Sequence, residues 1–335
     1  MEEKAPILVT IRCMTYNQDE YIRSCLEGFV MQKTNFPFVA VIHDDASTDN
    51  TASIILEYAS KYPAIIKPYI EKENQWSKHD GSLGRIMDSL TTHSKYIAFC
   101  EGDDYWTDPY KLQKQVDLLE SDENIKLVYT SYECVGHNGD TIKRKGYEAN
   151  MRMSSSGDVL SKLFLRNFIQ TCSVCMRTDI FTSEVMKGCP SKYDYAYFLA
   201  SACSGDMAYI PQKTCAYRKG NGSITITQNK EVNKGLWEAY KYFVRYFYTG
   251  NTKKISKREQ LATRCHILTR YLSHKGEIHE LFKNDPWIFV CIPAAYWLLI
   301  SQKIRNYYYY LIEKSDKEDD IFRNHGIYYC LVILL

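Results

Sequence analysis

Residues 96–112 read YIAFCEGDDYWTDPYKL, an apolar run from Tyr96 to Cys100 that ends directly on Glu101, Asp103 and Asp104. Three carboxylates packed so closely repel one another, and each resists losing its water. The cluster therefore implies a positive partner. Three oxygen-ligand side chains at the mouth of a strand suit a hard divalent cation, Mg or Mn, which takes carboxylates together with phosphate oxygens and water. A cation held there would in turn grip a pyrophosphate. A turn alone needs one short acidic residue, and Asp108, just before Pro109, fills that role at the start of the next helix.

Upstream, strand and helix signals alternate, the pattern of an α/β sheet covered by helices. Ile7 to Ile11 reads as a strand. Asn17 to Glu20 fits a capping box with Asn17 as N-cap, and Ile22, Cys25, Leu26, Phe29 and Val30 form one helical face that ends near Lys33. Phe38 to Ile42 is the next strand; the loop HDDASTDNT then leads to a helix with Ile54, Ile55, Tyr58, Ala59 and Tyr62 inward. Ala64 to Ile70 gives a third strand, a polar loop follows, and a short helix near Arg85 to Leu90 returns the chain to the strand Tyr96 to Cys100. In an open α/β sheet the ligand lies beyond the carboxyl ends of the strands. Asp44 and Asp45, like Glu101, Asp103 and Asp104, follow directly on a strand end, so the two acidic loops are expected to share one crevice. Downstream come a helix at Lys111 to Glu120, a strand at Lys126 to Tyr132 and a polar stretch from Gly136 to Gly157. Strand-like QTCSVCMR, helical DYAYFLASACSG and strand-like MAYIP complete this first domain.

In HDDASTDNT, Ser47 or Asp49 is an adequate cap for the helix that follows, which leaves Asp44 and Asp45 unexplained. A carboxylate at a strand end is a suitable acceptor for a base N–H or a ribose hydroxyl. A glycine-lined phosphate loop is excluded: Gly28 is the only glycine before Gly81, and neither G-x-G-x-x-G nor G-x-x-x-x-G-K-[ST] occurs. Acidic residues and a metal must replace it.

TYN at 15–17, DDASTDNT at 44–51, ENQ at 73–75, EGDDYWTDP at 101–109 and AYRKGNGS at 216–223 together resemble a family 2 glycosyltransferase of the GT-A fold, over about the first 220 residues. That resemblance implies an inverting transfer of a sugar from a nucleotide sugar, commonly a UDP-sugar, to an acceptor hydroxyl. It places Thr15 and Asn17 beside the nucleotide, with Asp45 or Asp44 on the base or ribose. Glu101-Gly102-Asp103 stands at the D-x-D position, which makes Asp103 the metal ligand and sets Glu101 near the ribose or the metal's waters; Asp104 belongs to the same nucleotide-binding group. Glu101 in place of the first Asp is a departure from the pattern. The family's general base comes from an acidic pair at a later helix start. Here that position offers Asp194, preceded by Tyr193 and otherwise read as an N-cap or first-turn charge of the helix, with Asp179 as the second candidate. Arg218, in AYRKGNGS, is expected either to reach the diphosphate as a fixed cation or to form a surface salt bridge.

The 335 residues are 45% hydrophobic, enough for one sizeable core and a smaller unit. Forty-two basic against 40 acidic residues leave +2, which excludes a nucleic-acid protein held by a strong global field. Twelve cysteines in this length are no disulfide framework, and Met1 to Pro6 carries no secretory leader, so free thiols in a reducing cytoplasm are expected. Cys172 and Cys175 form a lone C-x-x-C in an apolar run and read as buried strand cysteines. The expected layout is a catalytic domain at 1–228, with a nucleotide half to about 110 and an acceptor half beyond it, followed by a helical appendage at 229–335. Between Lys241 and Lys283 ten Lys or Arg face three Glu, a local excess of +7. WIFVCIPAAYWLLI at 287–300 is apolar for 14 residues, short of the roughly 20 that span a bilayer. With NYYYYLIEK at 306–314 and the terminal YYCLVILL, this tail reads either as a peripheral contact with an anionic inner membrane face, near a lipid-linked saccharide acceptor, or as a surface packed on the catalytic domain or a second subunit. QKIRN at 302–306 only faintly resembles the Q-x-x-R-W of processive synthases, which favours single addition. Two other classes compete. A sugar-phosphate nucleotidyltransferase needs a basic, glycine-rich loop after the first strand, where this chain has RCMTYNQDE; a non-catalytic binding module would lack a working base.

Overall fold

The computed structural model describes residues 6–143, 146–219, 230–249 and 257–273, with positions 281, 288, 291–295, 297 and 300 of the tail. In chain order the elements are β1 Val9–Thr15, α1 Ile22–Val30, β2 Phe38–Asp44, α2 Thr51–Lys61, β3 Ile66–Ile70, α3 Ser82–Thr91, β4 Tyr96–Phe99, β5 Tyr105–Trp106 and α4 Lys111–Ser121. They continue with β6 Ile125–Val135, α5 Tyr147–Met153, α6 Leu160–Leu165, β7 Val174–Arg177, α7 Glu184–Lys187, α8 Asp194–Ser204, β8 Asp206–Arg218, α9 Lys230–Thr249 and α10 Lys257–Ser273. The chain divides into two compact units, Met1–Phe243 and Val244–Leu335.

The first unit is built on one eight-stranded sheet in the order β3-β2-β1-β4-β7-β6-β8-β5. From β1 the chain winds outward through parallel β2 and β3, then returns to place β4 parallel on the other side of β1. The ends of β1 and β4 therefore flank a topological switch point, where the outward windings leave a crevice above the strands. β1 and β4 are buried at nearly every position, as central parallel strands covered on both faces must be. Beyond β4 the sheet turns mixed: β7 is antiparallel to both β4 and β6, and β6 pairs in parallel with the long β8. β5 closes the far edge antiparallel to β8, with Tyr105 opposite Ala216.

α1 buries Ile22, Cys25, Leu26 and Phe29, a stripe at helical spacing that faces the core. It lies so near β5 that a Cβ on Gly28 would sit 2.8 Å from the Trp106 amide nitrogen. Cys13, Cys25, Cys100, Cys172, Cys175 and Cys215 are all fully buried in the same core, and every described cysteine is a free thiol. Small, polarisable side chains let strands and helices approach closely there.

Several elements depart from the sequence pattern. The capping box at Asn17 does not form. α1 begins at Ile22 behind Tyr21, while Asn17 adopts φ 50° and its Oδ1 accepts the Thr48 N–H at 2.8 Å. Gln18 N–H donates to Thr51 Oγ1 at 2.8 Å, so bonds to the β2–α2 loop outcompete the local cap. Within the stretch read as polar loop, α5 forms before Gly157; α6 lies just beyond it. QTCS is a short 3-10 turn, Thr171–Ser173, ahead of β7.

In the second unit α10 buries Cys265, Ile267, Leu268 and Tyr271 and leaves Leu261 exposed. No helix of the described residues is long and apolar enough to cross a membrane. QKIRN, NYYYYLIEK, YYCLVILL, the GNGS of residues 220–223 and part of WIFVCIPAAYWLLI lie outside the described residues.

Candidate active site

The strand register sets the crevice. Thr15, the last residue of β1, stands opposite Asp44, the last of β2. On its other side the β1–β4 ladder continues past Phe99: Cys100 N–H bonds to Arg12 O at 3.2 Å and Gly102 N–H to Met14 O at 3.0 Å. Asp44, Thr15 and Gly102 thus form a row across three strand ends, about 10 Å wide at ~4.8 Å per strand. The row is tight. A Cβ on Gly102 would lie 2.6 Å from Thr15 Oγ1 and 2.5 Å from Gln18 Oε1, two atoms already hydrogen-bonded to each other at 2.7 Å. Gly102→Ala is therefore expected to cost about 1–3 kcal/mol of overpacking, read by denaturant unfolding.

The two aspartates of the β2 loop divide their work. Asp44 is fully buried, and its carboxylate accepts both the N–H and the hydroxyl of Ser47. Between them Ala46 is held at φ 63°, a left-handed conformation that costs a residue with a Cβ about 1 kcal/mol or more. Asp45 accepts the Gln75 N–H at 2.7 Å and the Trp76 N–H at 3.0 Å, and its own N–H bonds to Thr15 O at 3.0 Å. Asp45 thereby ties ENQ, 30 residues away, to the end of β1. Asn17 is exposed at the same rim, its N–H donating to Ser47 Oγ at 2.8 Å.

In the second acidic loop each carboxylate has a different setting. Asp104 is buried and accepts the Arg218 N–H at 2.7 Å; burial, reinforced by Asp103, pushes its pKa well up. Asp103 is half-buried, raised by burial and lowered by hydrogen bonding to its own N–H and by the Arg218 charge. Glu101 is pushed up to about 8, first by burial and next by Asp103, against the opposing charge of Arg12, with Asp194 raising it further. Arg218 donates Nε–H to Asp103 O at 2.9 Å and Nη1–H to the carbonyls of Gly136 and His137 at 2.9 and 2.6 Å. Its guanidinium lies 4.5 Å from the Tyr21 ring centre and 5.5 Å from that of Tyr105. The cation is clamped to the backbone of the acidic loop.

Asp194 opens α8. Its Oδ2 accepts the Thr171 hydroxyl at 2.6 Å and its Oδ1 accepts the Tyr195 N–H at 2.7 Å. Thr171 sits just before β7, whose Cys175 pairs with Ala98 of β4, so the contact draws Asp194 toward the carboxyl end of β4, within electrostatic reach of Glu101. Asp179 goes elsewhere. It is exposed in the turn Thr178–Thr182 beyond β7, where Arg177 pairs with Tyr96 and Thr178 N–H bonds to Lys95 O at 3.0 Å. That is the amino end of β4, and Asp179 is set aside as a base because the antiparallel pairing carries it away from the crevice.

Nothing in the sequence pattern marks Arg12, in the middle of β1. It is buried, donates to Asp88 Oδ1 at 2.7 Å and supplies the opposing charge at Glu101. Asp88 also faces Lys192 at 3.7 Å, and the Trp76 and Tyr193 rings meet edge-on at 6.4 Å. α3 and the ENQ loop therefore both touch the segment leading into Asp194; only a tertiary contact reveals either pairing. Among the described residues no three His, Cys, Asp or Glu side chains gather closely enough to cage a metal alone. Asp103 beside Glu101 instead fits a cation that keeps most of its ligands from water and phosphate.

The raised pKa of Glu101 has a measurable consequence. Unfolded, the group ionises near its ordinary 4.5; folded, near 8, so between those values the folded chain binds the extra proton and stability falls as pH rises. Glu101→Gln is expected to lessen that fall, with a higher melting temperature than the parent at the upper end of the window, measured with a chelator present.

The profile of the family described as Glycosyl transferase family 2 matches residues 11–181, half of the chain. The chain belongs to that family. An uncharacterized protein of Mycobacterium tuberculosis is 36% identical over 217 residues, covering 63% of this chain and 58% of its own length, so the match spans little more than half of that relative. TuaG of Bacillus subtilis, named for teichuronic acid biosynthesis, is 24% identical over 243 residues, 72% of this chain and 90% of TuaG. The fold is GT-A: the crystal structure of TarS 1–349 from S. aureus, solved in complex with UDP, superposes with a TM-score of 0.53 at 14% identity, covering 80% of this chain and 72% of that one.

Proposed function

We propose that this chain is an inverting glycosyltransferase that moves a sugar from a nucleotide sugar, read as a UDP-sugar, to a hydroxyl of a saccharide acceptor carried on a lipid. The observation that carries the reading is the convergence of Asp45 and the Glu101–Asp104 loop on either side of Thr15, with Asp194 in electrostatic reach of Glu101. Family membership supports the transfer of a glycosyl group, and TuaG's name supports a surface-polymer setting.

In this reading Thr15, Asn17 and Asp45 border the nucleoside, while Asp44 shapes the turn that presents Asp45. Asp103 holds a divalent cation, Mg or Mn, which when bound neutralises the charge of the departing diphosphate. Glu101 lies near the ribose or the metal's waters, and Asp104 fixes the loop through the Arg218 N–H. Arg218, clamped by three carbonyls, keeps a positive charge beside the diphosphate. Asp194 accepts the proton of the acceptor hydroxyl as its oxygen attacks the anomeric carbon from the face opposite the nucleotide; one bond to oxygen forms as the bond to the diphosphate breaks. The basic tail is assigned to peripheral contact with an anionic membrane face, with a second subunit as the other reading.

The test is nucleotide release from a panel of nucleotide sugars with Mg or Mn, run with a soluble saccharide and with a lipid-linked saccharide in anionic vesicles. The expected result is metal-dependent release of UDP from a UDP-sugar, increased by the lipid-linked acceptor. Pyrophosphate from a nucleoside triphosphate would instead mark a nucleotidyltransferase, and binding without turnover a recognition module.

A further inference from the structure

We propose that Thr171 is a positioning residue for Asp194, its hydroxyl setting the orientation in which that carboxylate meets the acceptor; the inference rests on the transferase reading above. Thr171 Oγ1 donates to Asp194 Oδ2 at 2.6 Å across 23 residues of chain, while Asp194 Oδ1 takes the Tyr195 N–H. One donor on each oxygen fixes the carboxylate plane and leaves further lone pairs on both oxygens for a proton.

The donor itself is rigidly mounted. The turn Thr171–Ser173 is held from two other elements. Trp106 Nε1–H donates to Cys172 O at 3.0 Å and Gln115 Nε2–H to Ser173 O at 2.8 Å, with Cys172 and Ser173 fully buried. Trp106 stands three residues beyond Asp103 and is itself only 2% exposed. A continuous chain of contacts thus runs from the acidic loop through Trp106 and the turn to Asp194. It sets where the base lies relative to the diphosphate site. A β-branched threonine, stiff at χ1, holds its hydroxyl in that direction with little entropy left to lose. Misplacing a reacting group by about 1 Å costs on the order of 10²-fold in rate, so a contact of this kind acts on turnover more than on donor affinity.

The experiment compares wild type, Thr171→Val, Thr171→Ser, Asp194→Asn and the Thr171→Val/Asp194→Asn double variant on the best donor of the panel, with melting curves for each. The expected result is a kcat for Thr171→Val about 10- to 100-fold down with the donor KM within about twofold, near-full rescue in Thr171→Ser, and a double variant no slower than Asp194→Asn alone. Should the valine variant not fold, Thr171→Ala carries the same expectation. Wild-type kcat in the valine or alanine variant while Asp194→Asn is impaired overturns the inference and leaves the transferase reading standing, as do additive losses in the double variant. Full activity of Asp194→Asn defeats the base assignment itself, and no release by wild type from any donor defeats the transferase reading and this inference with it.

Discussion

Asp103→Asn is expected to lower nucleotide-sugar turnover by about 10³-fold, equivalent to about 4 kcal/mol of lost stabilisation of the leaving diphosphate. The expectation singles out Asp103 because the three acids of the loop are not equivalent. Asp104 spends an oxygen on the Arg218 N–H and is buried. Glu101 is raised to about 8, first by burial, and has the Arg12 charge opposing that rise. Asp103 is half-buried; burial raises its pKa, and the Arg218 charge opposes that rise. Asparagine keeps the shape and removes the charge. Turnover against metal concentration checks it: the variant should need far more Mg or Mn, while Asp104→Asn, whose amide oxygen still accepts from Arg218, should lose less than about tenfold. Equal losses in the two variants would contradict the assignment of the cation to Asp103.

Asp194→Asn is expected to reduce turnover by about 10²- to 10⁴-fold, the range for removing a general base, while UDP affinity stays within about twofold. The amide oxygen can still accept the Tyr195 N–H, and the new NH2 can donate to the Thr171 hydroxyl oxygen, so the start of α8 should hold its place; only the capacity to take a proton goes. The split between turnover and binding is the informative part. Loss of both would point to a displaced loop, and loss of neither would return Asp194 to a first-turn charge on a helix. Rates by UDP release and affinities by calorimetry separate these outcomes.

The parts of this fold that were legible in the sequence are those written locally. An apolar run ending on carboxylates marks a strand end whatever its neighbours, and the β2 and β4 ends carry that signature in a few consecutive residues. The helical faces of α1 and α2 were equally legible by their spacing, whereas α8 is buried all round from Tyr195 to Ala202. What the sequence did not disclose depends on partners far along the chain. β1 and β2 run past Ile11 and Ile42 to Thr15 and Asp44 because each supplies the other's ladder, although Arg12 and His43 interrupt the apolar runs. Two-residue β5 exists only because β8 lies beside it. The Asn17 cap was overridden by bonds to Thr48 and Thr51, more than 30 residues away. At the site, residue types and order pointed to Asp44, Asp45, Glu101, Asp103 and Asp104. The division of labour among them, with Asp44 buried on Ser47 and Asp45 bonded to Gln75 and Trp76, needed the third dimension. Arg12 was hidden for the same reason, since a cation inside a strand announces no partner until Asp88 is beside it.

A crystal structure of the chain with UDP and manganese tests the central claim most directly, because the anomalous signal locates the metal without interpretation of side chains. The account predicts one manganese beside Asp103 at the mouth of β4, bridging to the diphosphate, with the uracil toward the Asp45 loop. Manganese bound elsewhere, or a nucleotide lodged away from the Asp44–Thr15–Gly102 row, would contradict it.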